Sequence, residues 1–156
     1  MNQSRVILLV EDNADDRELT LRAFERSNVA HQMVVARDGR EALDYLFATG
    51  AFAAPAPHPV PALVLLDLNL PKLDGIDVLR HLRSDDRTRR LPVVILTSSN
   101  EEQDVLRSYD CGANGFVRKP VDFGQFLAVA RELGLYWLDH NINAAAAAGI
   151  ARSSLT

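Results

Sequence analysis

An open parallel α/β sheet, with helices on both faces, is the fold this sequence predicts, and two observations carry the prediction. The first is a set of short, unbroken apolar runs, Val6 to Val10, Ala62 to Leu66 and Pro92 to Leu96, of the kind that forms strands buried on both sides. The second is what lies between them: stretches with apolar residues at helical spacing, opened by side chains suited to capping. Parallel strands joined by right-handed helical crossovers present their carboxyl ends at one edge, and such sheets carry their sites there.

The elements follow in order. Val6 to Val10 ends on the acid pair Glu11-Asp12. Asn13 then caps a helix to about Ser27, with Asp15 and Asp16 in its first turn, where acids suit the helix dipole, and Leu19, Ala23 and Phe24 inward. His31 to Ala36 is a second strand by its Met33-Val34-Val35 centre, and Asp38-Gly39 turns the chain into a helix from about Arg40 to Ala48. Thr49 to Pro61 holds four prolines and a glycine, which excludes a regular helix or a central strand and predicts an ordered surface loop. The third strand ends on Asp67; Pro71 and Gly75 punctuate before a helix from Ile76 to Ser84. Pro92 to Leu96 runs into Thr97-Ser98-Ser99-Asn100, polar residues expected to cap a helix from Glu101 to Cys111 with Val105, Leu106 and Tyr109 as its apolar positions. Gly115 to Val117 is a short fifth strand ahead of Arg118-Lys119-Pro120. Asp122 caps the last helix, along which Phe126, Ala130, Leu133 and Trp137 repeat at helical intervals.

A length of 156 residues with 47% hydrophobic residues fits one domain with its own core, expected over 1–140, followed by an Ala-rich extension over 141–156. The net charge of -4 argues against a nucleic-acid surface, which needs clustered Lys and Arg. Cys111 is the single cysteine, so no intramolecular disulfide forms, and its place at a helix end predicts simple packing in a reducing compartment. No stretch of about 20 apolar residues is present to span a bilayer. The expected location is the cytoplasm, with neither membrane nor nucleic acid as a partner. His31, His58, His81 and His140 share no metal-ligand spacing, and there is no Gly-rich Lys-Ser or Lys-Thr loop for ATP.

Four strand ends carry chemistry: Glu11-Asp12, Asp67, Thr97 and Lys119. An isolated Asp after an apolar run is more often a turn cap, but an acid pair on an adjacent strand changes that balance. Three carboxylates at one edge repel unless a cation sits among them.

In this combination the chain resembles the receiver domain of two-component response regulators, over roughly Arg5 to Leu138. The resemblance implies a flavodoxin-like sheet of strand order 2-1-3-4-5. It implies a magnesium ion held by Glu11, Asp12, Asp67 and the main-chain carbonyl of Asn69. It makes Asp67 the acceptor of a phosphoryl group from a histidine kinase, with Thr97 and Lys119 as the groups that hold the phosphoryl oxygens. Thr97 and Phe116 take the switch positions, Phe116 without the phenolic hydroxyl of the commoner tyrosine, and the surface of the fourth helix, fifth strand and fifth helix is the one that changes. The Val10-Glu11-Asp12-Asn13 run, the Pro-rich loop, Leu66 to Pro71, Ser108-Tyr109-Asp110 and Tyr136-Trp137-Leu138 resemble most the small regulators paired with bacterial or cyanobacterial phytochrome kinases. A phytochrome-type kinase is the partner so implied.

Two other classes compete with this reading. A magnesium-dependent phosphohydrolase also works through an aspartyl phosphate, but it commonly uses a second acid two residues on, where this chain has Asn69. An interaction scaffold without phosphorylation has no need of the full set Glu11, Asp12, Asp67, Thr97 and Lys119. The last helix carries more apolar residues than one sheet face buries, which predicts a homodimer with Phe126, Leu133, Tyr136 and Trp137 at the contact.

Overall fold

The computed structural model describes residues 4–50, 59–99 and 101–144. Strands β1 (Val6–Val10), β2 (Gln32–Ala36), β3 (Leu63–Leu66), β4 (Val93–Thr97) and β5 (Gly115–Arg118) alternate with helices α1 (Ala14–Arg26), α2 (Gly39–Phe47), α3 (Gly75–Ser84), α4 (Glu102–Asp110) and α5 (Phe123–Gly134). All strand pairs are parallel and the order is β2-β1-β3-β4-β5, as expected. Most of the Pro-rich loop (51–58), Asn100 and most of the Ala-rich extension (145–156) lie outside the described residues.

The period of two along each strand divides its side chains between two cores. Leu8, Val10, Val64, Leu66, Val93 and Ile95 meet α2 and α3 through Leu43, Val78, Leu79 and Leu82. Ile7, Leu9, Leu63, Leu65, Val94 and Leu96 meet α1 and α5 through Phe24, Phe126 and Ala130. Burial on both sides is why these strands read as unbroken apolar runs.

Four helices begin with a side-chain cap: Asn13 accepts from Asp16 N (2.9 Å), Asp38 from Glu41 N (2.8 Å), Asp74 from Asp77 N (3.0 Å) and Asp122 from Gln125 N (3.0 Å). Helix α4 departs from expectation. Its first turn has no side-chain cap; instead Ser99 Oγ donates to Asp104 Oδ2 (2.5 Å) and accepts from Glu101 N (3.2 Å). Leu106 and Tyr109, expected to face inward, are 57% and 49% exposed, and Ser108 is the fully buried residue of the helix. The line Asp104, Ser108, Cys111 faces the protein, and Cys111 packs partly buried against the core.

At the carboxyl end α5 runs into a π-helical turn, Leu135–His140, closed by a bond from Asn141 N to Tyr136 O (2.6 Å). The inward stripe therefore runs Phe126, Ala130, Gly134, Leu138, while Leu133 and Trp137 flank it, half-buried, and Tyr136 points outward at 52% exposure. Phe126 is a correction to the expected dimer contact: at 2% exposure it is committed to the core under α5 and cannot also reach a second chain. This end of the chain is fastened back by Arg131 to Ser27 O (2.9 Å) and by an ion pair from Arg5 to Asp139 (2.6 Å).

Two further ties fix connections. Arg83 donates to Gly112 O (2.9 Å), Arg89 O (3.0 Å), Leu91 O (2.8 Å) and Asn114 Oδ1 (3.0 Å), joining the end of α3 to the starts of β4 and β5. The two feet of the Pro-rich loop both stand on α2: Thr49 Oγ1 donates to Asp44 Oδ1 (2.8 Å), and Tyr45 OH donates to Pro59 O (3.0 Å). Among the described residues no helix is long and apolar enough to cross a membrane.

Candidate functional site

The chain runs from β1 to β2 on one side and returns to β3 on the other, so strand order reverses between β1 and β3. There Val10 stands opposite Leu66, and Asp67 N donates to Val10 O (3.1 Å), which sets Glu11 and Asp67 side by side beyond the last paired residues. On the far side Lys119 N donates to Thr97 O (2.8 Å), so the residue after β5 lies against the end of β4. Register alone therefore gathers Glu11, Asp67, Thr97 and Lys119 at one edge.

Local packing makes the position of Asp67 narrow. A Cβ on Gly75 would stand 2.3 Å from Asp67 O and 2.7 Å from Leu68 Cα, so only glycine lets α3 begin this close to the β3 end. Gly75 N also donates to Leu68 O (2.9 Å). Asp67 Oδ1 accepts from Asn69 N (3.3 Å), which folds the loop over the carboxylate and leaves Asn69 exposed at the rim.

Glu11 is only 2% exposed; Asp12 beside it is exposed. Carboxylate oxygens of Glu11, Asp12 and Asp67 lie within 4.8 Å of one another. Burial, then a hydrogen bond and charge repulsion from Asp67, push the Glu11 carboxyl up to about 7 in spite of the opposing pull of Lys119. The Lys119 side chain, 9% exposed, donates to Glu11 Oε1, to Asp16 Oδ2 (2.9 Å) and to Asp67 Oδ2 (3.2 Å). Burial works against its charge, but the hydrogen bonds to Glu11 and Asp16 and the attraction of Asp67 and Glu11 prevail and hold it above the usual lysine range. One ammonium thus serves three carboxylates. An all-oxygen, acid-rich set of this kind fits a hard divalent cation.

Thr97 is buried, and its Oγ1 accepts from Ser99 N (3.4 Å) rather than meeting Asp67 or Lys119. Phe116 stands opposite Ile95 on β5 and is partly buried against the α2–α3 side of the core. Leu133 and Trp137 are half-buried, and the Tyr136 ring meets the Trp137 ring edge-on at 4.8 Å. Asp16 is the member of the site that the sequence reading missed. Beside Leu68 and Asn69 a cavity of about 400 Å³ opens toward Asp74, Asp104 and Arg107.

A parallel sheet in this order, with an acidic trio and a buried lysine at its carboxyl edge, defines a receiver domain. The family model of the response regulator receiver domain matches residues 7–131, and the chain belongs to that family. It is 36% identical to response regulator Rcp1 of Synechocystis sp., over 88% of this chain and 92% of Rcp1. The Mn(2+)-bound form of Rcp1 superposes with a TM-score of 0.79 at 34% identity, covering 89% of this chain and 98% of Rcp1. The bacteriophytochrome response regulator AtBRR is 55% identical with a TM-score of 0.72, over 86% of this chain and 96% of its own. The phosphorylated cyanobacterial phytochrome response regulator RcpA is 38% identical with a TM-score of 0.81, over 91% and 99%.

Proposed function

We propose that this receiver domain takes a phosphoryl group onto Asp67 from a phytochrome-type histidine kinase, in a magnesium-dependent reaction in the cytoplasm. The observation that carries the reading is the position of Asp67 at the switch point, with carboxylate oxygens of Glu11 and Asp12 within 4.8 Å of its own and the Lys119 ammonium 3.2 Å away. A carboxylate oxygen of Asp67 attacks phosphorus in line as the bond from phosphorus to the donor's histidine nitrogen breaks, and that nitrogen keeps the electron pair. Glu11, Asp12, Asp67 and the Asn69 carbonyl are the groups that would hold magnesium, which supplies neutralisation of charge on the phosphoryl oxygens. Lys119 supplies a fixed positive charge to the same oxygens, and Thr97 a hydroxyl donor once it leaves Ser99.

The switch then falls to Thr97 and Phe116: the hydroxyl turns to the phosphoryl group, and the ring follows into the space given up. Helix α4, held by few buried side chains, is the element this movement reaches, with β5 and α5 beside it. A homodimer forms through that surface and the π-helical turn, using Leu133, Tyr136 and Trp137. What supports the kinase class is the likeness to regulators described as bacteriophytochrome and phytochrome response regulators. What supports a metal is the fit of the acidic trio, together with a manganese-bound relative.

The test is intact-mass measurement after acetyl phosphate and magnesium. One phosphoryl increment is expected on the wild type and none on Asp67→Asn; a full increment on the variant would overturn the assignment. Steady release of nitrophenol from p-nitrophenyl phosphate would instead favour a phosphohydrolase.

A further inference from the structure

Of the three carboxylates on Lys119, Asp16 is the one with no part in the proposed chemistry. We propose that Asp16 is a positioning residue: it sets where the Lys119 ammonium rests and competes for it with a phosphoryl group arriving on Asp67. The inference rests on the reading of Asp67 as phosphoacceptor.

After Glu11, which makes the shortest contact, the ammonium rests nearer Asp16 than Asp67: the Asp16 Oδ2 is 2.9 Å away and that of Asp67 3.2 Å. The Asp16 backbone is held on both sides. Asp16 N donates to the capping Asn13 Oδ1 (2.9 Å), and Asp16 O accepts from Thr20 Oγ1 (2.7 Å), so the carboxylate projects from a fixed first turn of α1. It also stands outside the Glu11, Asp12 and Asp67 group. A divalent cation in that group draws on two of the three partners of Lys119 and leaves the Asp16 charge directed at the ammonium.

Phosphorylation replaces the single charge of the Asp67 carboxylate by the up to two charges of an acyl phosphate, a net gain of about one negative charge, and places it on oxygens further from the chain. Lys119 then has two destinations, and any strength in its contact with Asp16 is subtracted from what the phosphoryl oxygens gain. The Asp16 side chain is 40% exposed, so water screens the contact and the effect is moderate. Aspartate at this position thus makes the lysine less available to the phosphoryl group at equilibrium than a neutral residue there would.

The experiment is a ¹⁹F NMR titration of the full chain with trifluoroberyllate, a phosphoryl mimic, in magnesium. Asp16→Asn is expected to bind the mimic about three- to tenfold more tightly, the range of one screened ionic hydrogen bond. Asp16→Glu, which returns the charge and the reach, is expected to fall back toward wild type. Asp15→Asn removes the same charge from the same turn, makes no contact with Lys119, and is expected to stay within about twofold, as exposed charges at a distance are screened. Unchanged or weaker binding in Asp16→Asn, or an equal gain in Asp15→Asn, would overturn the proposal. If the wild type itself fails to bind the mimic, the Asp67 reading falls; if it binds and Asp16→Asn is silent, only this inference does.

Discussion

A carboxyl group held near neutrality is the residue-scale feature with the widest effect. Glu11 has an ordinary value of 4.5 and is pushed up to about 7, so folding favours its protonated form. The stability it contributes is present below about pH 4.5 and is lost as pH rises through 7, by at most on the order of 3 kcal/mol. Metal-free protein should therefore melt lower at pH 8 than at pH 5, and Glu11→Gln should flatten that difference; an undiminished slope in the variant would exclude Glu11 as its source. Magnesium at the proposed site would compete with this proton, so its affinity by calorimetry should rise with pH through about 7 and then level. Glu11, Asp67, Thr97 and Lys119 were legible in the sequence because each directly ends a strand, and strand ends are where an apolar run stops. Asp16 was not legible. It shares with Asp15 an acidic first turn that the helix dipole already explains, and only the three-dimensional placement of Lys119 against that turn selects which of the two acids meets the lysine.

At the scale of elements, the turn from α4 to β5 depends on one glycine and one arginine. Gly112 has φ +100, and a Cβ there would meet Arg83 Nε at 2.9 Å and Arg83 Cγ at 3.0 Å. Gly112→Ala is expected to destabilise the protein by about 1–3 kcal/mol, through backbone strain and displacement of the arginine that joins α3 to β4 and β5. A urea midpoint equal to wild type would show that Arg83 yields freely. Strands and caps were predictable because burial on both faces and a short polar side chain before each helix leave direct marks in the sequence. The inner line of α4 left none: Val105, Leu106 and Tyr109 outweigh Ser108 by hydropathy, although Ser108 is the side chain the protein encloses. The π-helical turn also lacks a signature residue, so a stripe read at 3.6 residues per turn falls one residue short, on Trp137, where Leu138 is the buried residue.

For the whole molecule, the apolar excess of the last helix is partly consumed by its own fold, since Phe126 and Leu138 are buried and Leu133 and Trp137 half-buried. What remains outside is Tyr136 at 52% and Ile142 at 67% exposure, with Leu106 and Tyr109 on α4. Light scattering over a concentration series should give a dimer mass that Tyr136→Ala shifts toward monomer; a monomer throughout, with and without phosphodonor, would refute the homodimer. The anchoring of Thr49 and Pro59 on successive residues of α2, Asp44 and Tyr45, bears on how the molecule can be altered. Chain that leaves and re-enters at one helical turn is entropically closed at its base, so doubling the length between those anchors adds only about 0.6 kcal/mol. The two anchors therefore make a port: a fluorescent reporter or an extra binding peptide spliced in between them is expected to leave the strand register that aims Asp67 at its neighbours untouched.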